Sequence, residues 1–77
     1  MSSHTQSILF SKDLYDTKSA RRWLMHHNLS PIKRVHETTH FLRYRIREPN
    51  ERYDYRTKLL TTGIKAVIGF LPYAMLE

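Results

Sequence analysis

One short stretch of this chain has residue types and spacing that spell out a reaction: His36-Glu37-Thr38-Thr39-His40. Two histidines four apart, with a glutamate after the first, fit the H-E-x-x-H pattern of zinc-dependent hydrolysis. On a helix, residues four apart project the same way. Both imidazoles then bind one cation while Glu37 polarises a water. The chemistry therefore demands a helix and a third ligand. No histidine follows His40, and the extended form of the motif wants a glycine where Arg43 stands and a histidine where Ile46 stands. Glu48, Glu51 and Glu77 are acids without supporting context.

The helix itself is opposed by the residues around it. A helix capped by Ser30 and opened by Pro31 gathers Ile32, Val35, Thr39, Leu42 and Ile46 into a stripe, but it turns Phe41 and Tyr44 away among arginines. It also places two β-branched threonines in its interior. A strand is simpler. Leu42, Tyr44 and Ile46 then point to the core while Arg43, Arg45 and Arg47 point out. The pattern predicts a hairpin, 32–37 then 40–48, with His36 to His40 at and near its turn. Zinc hydrolysis is left as a remote alternative, and no metal or other cofactor is expected.

The same strand carries the second candidate chemistry. Arg43, Arg45 and Arg47 stand about 6.6–6.8 Å apart along one strand face. A row of like charges calls for an anionic partner, or for acids on a neighbouring strand such as Glu37 or Asp54. Arg52, Arg56 and Lys58 extend the basic set on the next strand, and one of Lys33 and Arg34 extends it on the preceding one. If these strands are adjacent, one sheet face carries about seven cations. Phe41 shares the outward face. An aromatic among forked guanidinium groups on an open sheet suits a phosphate backbone with unpaired bases. The candidate nucleic-acid-binding residues are Arg43, Arg45, Arg47, Arg56, Lys58, Lys33, Arg34 and Phe41. The plainer alternative is a solvated sheet face whose other side packs on a helix.

The remaining chemistry is thin. The two glycines, Gly63 and Gly69, form no phosphate loop. There is no RNP-type motif and no nucleophile-plus-base constellation, so the chain reads as a non-enzyme. Trp23 and Leu24 read as core, and His26-His27 as a helix C-terminal feature. With 77 residues, the chain makes one domain with a small core and little room for an enzyme cleft. The net charge of +6 favours a polyanion such as nucleic acid, although a charge of that size also serves solubility alone. With no cysteine, disulfides and thiolate metal sites are excluded. The polar N-terminus and the lack of a long apolar run predict a soluble intracellular protein with no membrane partner.

These residues need elements to hold them. Residues 1–6 read as a loose polar arm, and Ile8-Leu9-Phe10 as a first strand buried on both faces. Asp16 or Thr17 caps a helix running to His27, with Ala20, Trp23, Leu24 and His27 on one face. Asn28 suits the left-handed position that ends it, Leu29 folds back on the last turn, and Pro31 forbids continuation. Pro49-Asn50-Glu51 and Thr61-Thr62-Gly63 mark turns around an alternating segment, 53–59. Residues 64–70 fit a strand better than a helix, because Gly69 and Pro72 shorten any helix there. The tail 72–77 is apolar and offers a surface for its own core, a protein partner or a second copy. The expected fold is α+β: one helix on a small, mainly antiparallel sheet, in the order β-α-β-β-β with room for one more strand.

In this order the elements carry a pattern: Ile8-Leu9-Phe10, then Ala20-Arg21-Arg22-Trp23-Leu24 with His27, then Arg43-Tyr44-Arg45-Ile46, then Gly63-Ile64-Lys65-Ala66-Val67-Ile68-Gly69. It resembles a group of short uncharacterised basic proteins of large DNA viruses and tailed phages. Those share a strand, an A-x-x-W-L helix, an R-Y-R-type strand and a terminal G-I-x-x-V-x-G segment. The resemblance spans about residues 8–70 and implies a strand at Phe41 to Arg47. It also implies a viral setting, in which small basic proteins accompany packaged DNA or the virion. No site residue comes with it. The functional expectation is a small, sequence-tolerant nucleic-acid binder. The alternative is a structural or interaction module, such as a minor virion component, using the tail and the tyrosines.

Overall fold

The computed structural model describes residues 3–71; the apolar tail 72–77, read above as a docking surface, lies outside them. The elements are β1 (Ser3–Ser11), α1 (Thr17–His26), β2 (His36–Glu37), β3 (Phe41–Arg45), β4 (Asp54–Thr61) and β5 (Ile64–Phe70). The fold is α+β, as expected, with one helix and a single five-stranded sheet in the order β2-β3-β1-β5-β4. Every neighbouring pair is antiparallel. No helix among the described residues is long and apolar enough to cross a membrane.

The helix begins where the side chains supply its missing acceptors. Asp16 Oδ1 accepts from the Ser19 N–H at 2.8 Å, and the Asp16 N–H donates back to Ser19 Oγ at 3.1 Å. This closes a reciprocal capping box. The helix ends at Asn28, whose φ of 56° is left-handed, and the Leu29 N–H then returns to the Leu24 carbonyl at 2.9 Å. Ala20 and Leu24 are buried against the sheet, and Trp23 meets Phe10 edge-on at 5.6 Å. His27 stacks on Trp23 at 3.8 Å and donates from Nδ1 to the Trp23 carbonyl at 2.8 Å.

Phe10 is the centre of the core, fully buried with Tyr15, Trp23 and Tyr44 around it at 5.2–5.7 Å between ring centroids. Ile8, Leu42, Ile64 and Ala66 complete the helix-covered face. Residues directly opposite in an antiparallel ladder share a face. The strand pairing therefore puts Ser7, Leu9 and Ser11 on the open face together with Arg45, Arg43 and Phe41.

Three expectations are corrected by strand pairing. Residues 3–6 are not part of a loose arm, because Ser3, His4 and Thr5 pair with Phe70, Gly69 and Ile68 and so extend the central strand. Only His36–Glu37 of the anticipated 32–37 strand is extended as one, and residues 32–35 bend past the sheet edge. The basic strands β3 and β4 are not neighbours: β1 and β5 lie between them. Three interstrand steps separate them by about 14 Å. The 64–70 segment is a strand, as expected. It is hydrogen-bonded to β1 on one side and to β4 on the other, and no helix can use both partners. Gly63, with φ of 81°, closes the β4–β5 turn in a conformation that a side chain would strain.

Candidate nucleic-acid interface

The site is built on the open face of β3 and its edge. Alternation along β3 sends Leu42 and Tyr44 into the core, and Phe41, Arg43 and Arg45 to the other side. His36 is the cross-strand partner of Arg43 and so joins that face. Lys33, Arg34, His36, Arg43 and Arg45 together line one recess of about 230 Å³. Strand alternation allowed only one of Lys33 and Arg34 on this side. Residues 33–35 are not a strand, so both side chains reach the recess.

Gln6 holds the floor in place. It is the extra residue of a β-bulge between Thr5 and Ser7 and is 2% exposed. Its Oε1 accepts from Ser7 Oγ at 2.6 Å and from Arg43 Nη2 at 3.3 Å, and its Nε2 donates to the Arg47 carbonyl at 3.1 Å. Its own carbonyl accepts from the N–H groups of Ile46 and Arg47. One buried amide thus fixes the Arg43 guanidinium and the chain leaving β3. Sequence reasoning missed it because a single glutamine in a polar N-terminal run carries no sign of a bulge.

Phe41 sits two residues from Arg43 on the same face, with the Lys65 ammonium 5.2 Å from its ring centroid. Lys65 is opposite Leu9 on β5, and Leu9 is opposite Arg43 on β3. A row of His36, Arg43, Leu9 and Lys65 therefore runs across β2, β3, β1 and β5. Lys65 extends the cationic surface, and alternation within 64–70 was its only trace in the sequence.

The other expected cations are elsewhere. Arg56 and Lys58 pair with Ile68 and Ala66, on the helix side of the sheet and on its far edge strand. The Arg56 guanidinium lies 5.6 Å from the Phe70 ring centroid. Arg47 is exposed and lies past the end of β3, outside its alternation. The acids proposed to balance the arginines do not do so. Glu37 shares the helix side with Leu42 and pairs with Lys12 at 3.3 Å, while Asp54 is on β4. Glu48 takes that part instead, 3.1 Å from Lys33 Nζ and 3.7 Å from Arg45 Nη1. These are exposed pairs, each worth about 0–1 kcal/mol.

His36 and His40 do not share a helical turn. Thr38 and Phe41 close a tight turn, with the Thr38 N–H donating to the Phe41 carbonyl at 2.9 Å and the Phe41 N–H donating to Thr38 Oγ1 at 3.0 Å. His36 lies on the strand before this turn and His40 within it. Among the described residues no three His, Cys, Asp or Glu side chains are placed to hold one metal ion. The recess has another chemistry. It gathers two guanidinium groups from β3, a third from Arg34, the Lys33 ammonium and an imidazole, and no carboxylate of the described residues lines it. Guanidinium forks match the paired oxygens of a phosphate. Comparison of the chain with protein families, with curated proteins and with solved structures gives no match.

Proposed function

We propose that this protein is a non-enzymatic, sequence-tolerant binder of single-stranded nucleic acid. The helix-free face of the sheet around β3 is its contact surface. One observation carries the reading: basic side chains from the 33–34 segment, β2 and β3 converge on a single recess that no carboxylate of the described residues lines. Phe41 is beside it, and Lys65 extends the charge across the sheet. The arginines take backbone oxygens, and the aromatic ring offers a face for a base once Lys65 moves to a phosphate. The viral setting implied by the motif resemblance suits a small basic protein of this kind.

The test is a titration of a labelled single strand at several salt concentrations, read by fluorescence anisotropy. The slope of log K on log salt should be negative and no steeper than about −3.5, the value reached when Lys33, Arg34, Arg43, Arg45 and Lys65 each neutralise a separate phosphate. Affinity that does not change with salt refutes the reading.

A further inference from the structure

We infer that the recess between residues 33–36 and β3 seats a terminal phosphomonoester of the bound strand, and that Glu48 is the internal carboxylate which that phosphate displaces. The inference rests on the proposed function, since it names the part of a nucleic acid that this site takes.

The first argument is the match of charge to donors. Four formal cations and one imidazole face a space of about 230 Å³. An internal phosphodiester brings one negative charge and two free oxygens, which leaves most of that set uncompensated. A terminal phosphate brings about −1.5 to −2 charges and three strong acceptor oxygens. The donors also come from three segments, residues 33–34, β2 and β3, and so reach the ligand from more than one side. A strand end enters such a place more readily than a continuous backbone, which must run both in and out.

The second argument is the state of the donors themselves. Arg43 is held through Nη2 by Gln6 at 3.3 Å, while its Nε is buried and has no partner among the described residues. Gln6 thus fixes the guanidinium before any anion arrives, which lowers the ordering cost of binding one. Lys33 and Arg45 are bridged by Glu48 from the flank, at 3.1 and 3.7 Å. Glu48 does not line the recess. It therefore holds two of the cations from outside with exposed, weak pairs, and an incoming anion of higher charge outcompetes it for them.

The experiment compares one oligonucleotide with a 5′-phosphate, a 3′-phosphate or hydroxyls at both ends. It uses the full chain and two variants that each remove one carboxylate, Glu48→Gln and Glu51→Gln. Circular dichroism melts confirm that both variants fold. One phosphorylated strand should bind about 5-fold tighter than the hydroxyl strand near 0.1 M salt, the effect of about one further released counterion. Glu48→Gln should tighten binding severalfold while Glu51→Gln, which pairs with neither Lys33 nor Arg45, leaves it near wild type. Equal binding of all three strands overturns the terminal-phosphate seat and leaves the proposed function standing. Failure of every strand to bind overturns both. A phosphoserine peptide that binds as tightly as the phosphorylated strand overturns the assignment to nucleic acid. Equal effects of the two glutamate substitutions overturn the part given to Glu48.

Discussion

Two charge-matched double substitutions separate the basic recess from net charge. Arg43→Gln with Arg45→Gln, and Arg56→Gln with Lys58→Gln, each take two positive charges from a chain whose net charge is +6. A partner that senses only net charge responds equally to both. The strand pairing predicts otherwise, because Arg43 and Arg45 share the open face with His36, whereas Arg56 and Lys58 pair with Ile68 and Ala66 on the helix side. On a single strand each phosphate contact contributes about 0.7 to the salt slope, equivalent to about 5-fold in affinity between 1 M and 0.1 M salt. Loss of two contacts makes the slope shallower by about 1.4 and weakens binding about 25-fold at 0.1 M. The β4 pair lies about 14 Å from β3, beyond a screening length of about 10 Å at that salt, so its loss changes binding less than about 2-fold. Anisotropy titrations of one labelled strand over a salt series measure both quantities, and thermal melts confirm folding. Equal losses for the two variants, or a greater loss for the β4 pair, refute the placement of the interface.

Three further outcomes follow from the core and the caps. Tyr44 is buried with a hydroxyl that has no partner among the described residues. Tyr44→Phe should therefore raise stability at neutral pH by up to about 1–3 kcal/mol in denaturant titrations. Burial pushes the Tyr44 phenol above 10.0, so its contribution is full below the unfolded value and is lost as pH rises through the folded one. The Tyr44→Phe variant should thus lose less stability above that pH than the wild type. Asp16 is held below its ordinary 3.8, first by the Ser19 backbone N–H and then by the Ser19 side chain. Asp16→Ala should melt lower than wild type at neutral pH, and the difference should shrink as acid protonates the cap through its lowered folded value. A Cβ at Gly69 meets Tyr55 Cε1 at 2.6 Å, and the Tyr55 hydroxyl accepts from the Asn50 N–H at 2.6 Å. Gly69→Ala should cost about 1–3 kcal/mol, and hydrogen exchange at the Asn50 amide should speed up as the ring is displaced.

The local parts of this fold were legible because each is decided within a few residues. Asp16 and Asn28 bound the helix through their own side-chain and backbone preferences. Ala20, Trp23 and Leu24 face the core because of helical spacing alone. The alternation of Phe41, Leu42, Arg43, Tyr44 and Arg45 sorts apolar from cationic side chains whatever the neighbouring strand. That alternation also ruled against the helix that H-E-x-x-H needs. Three residues of the candidate interface, Phe41, Arg43 and Arg45, were therefore visible in a five-residue stretch.

Which other cations join them depends on partners distant in the chain. A period of two says that Arg56 and Lys58 share a face, but only pairing with Ile68 and Ala66 says which face it is. Strand order separates β3 from β4, because β1 gives one edge to β3 and the other to β5. The length of β1 comes in part from Ser3, His4 and Thr5, whose polar side chains gave no sign of a central strand. The Gln6 bulge, the approach of Lys65 to Phe41 and the bridge by Glu48 are likewise contacts across the sheet or beyond its edge. Composition and periodicity alone determined that this is a basic α+β domain with a two-sided β3 strand. Only the tertiary structure decided which cations meet, because a side chain's face is a local property whereas its neighbours are set by register and strand order.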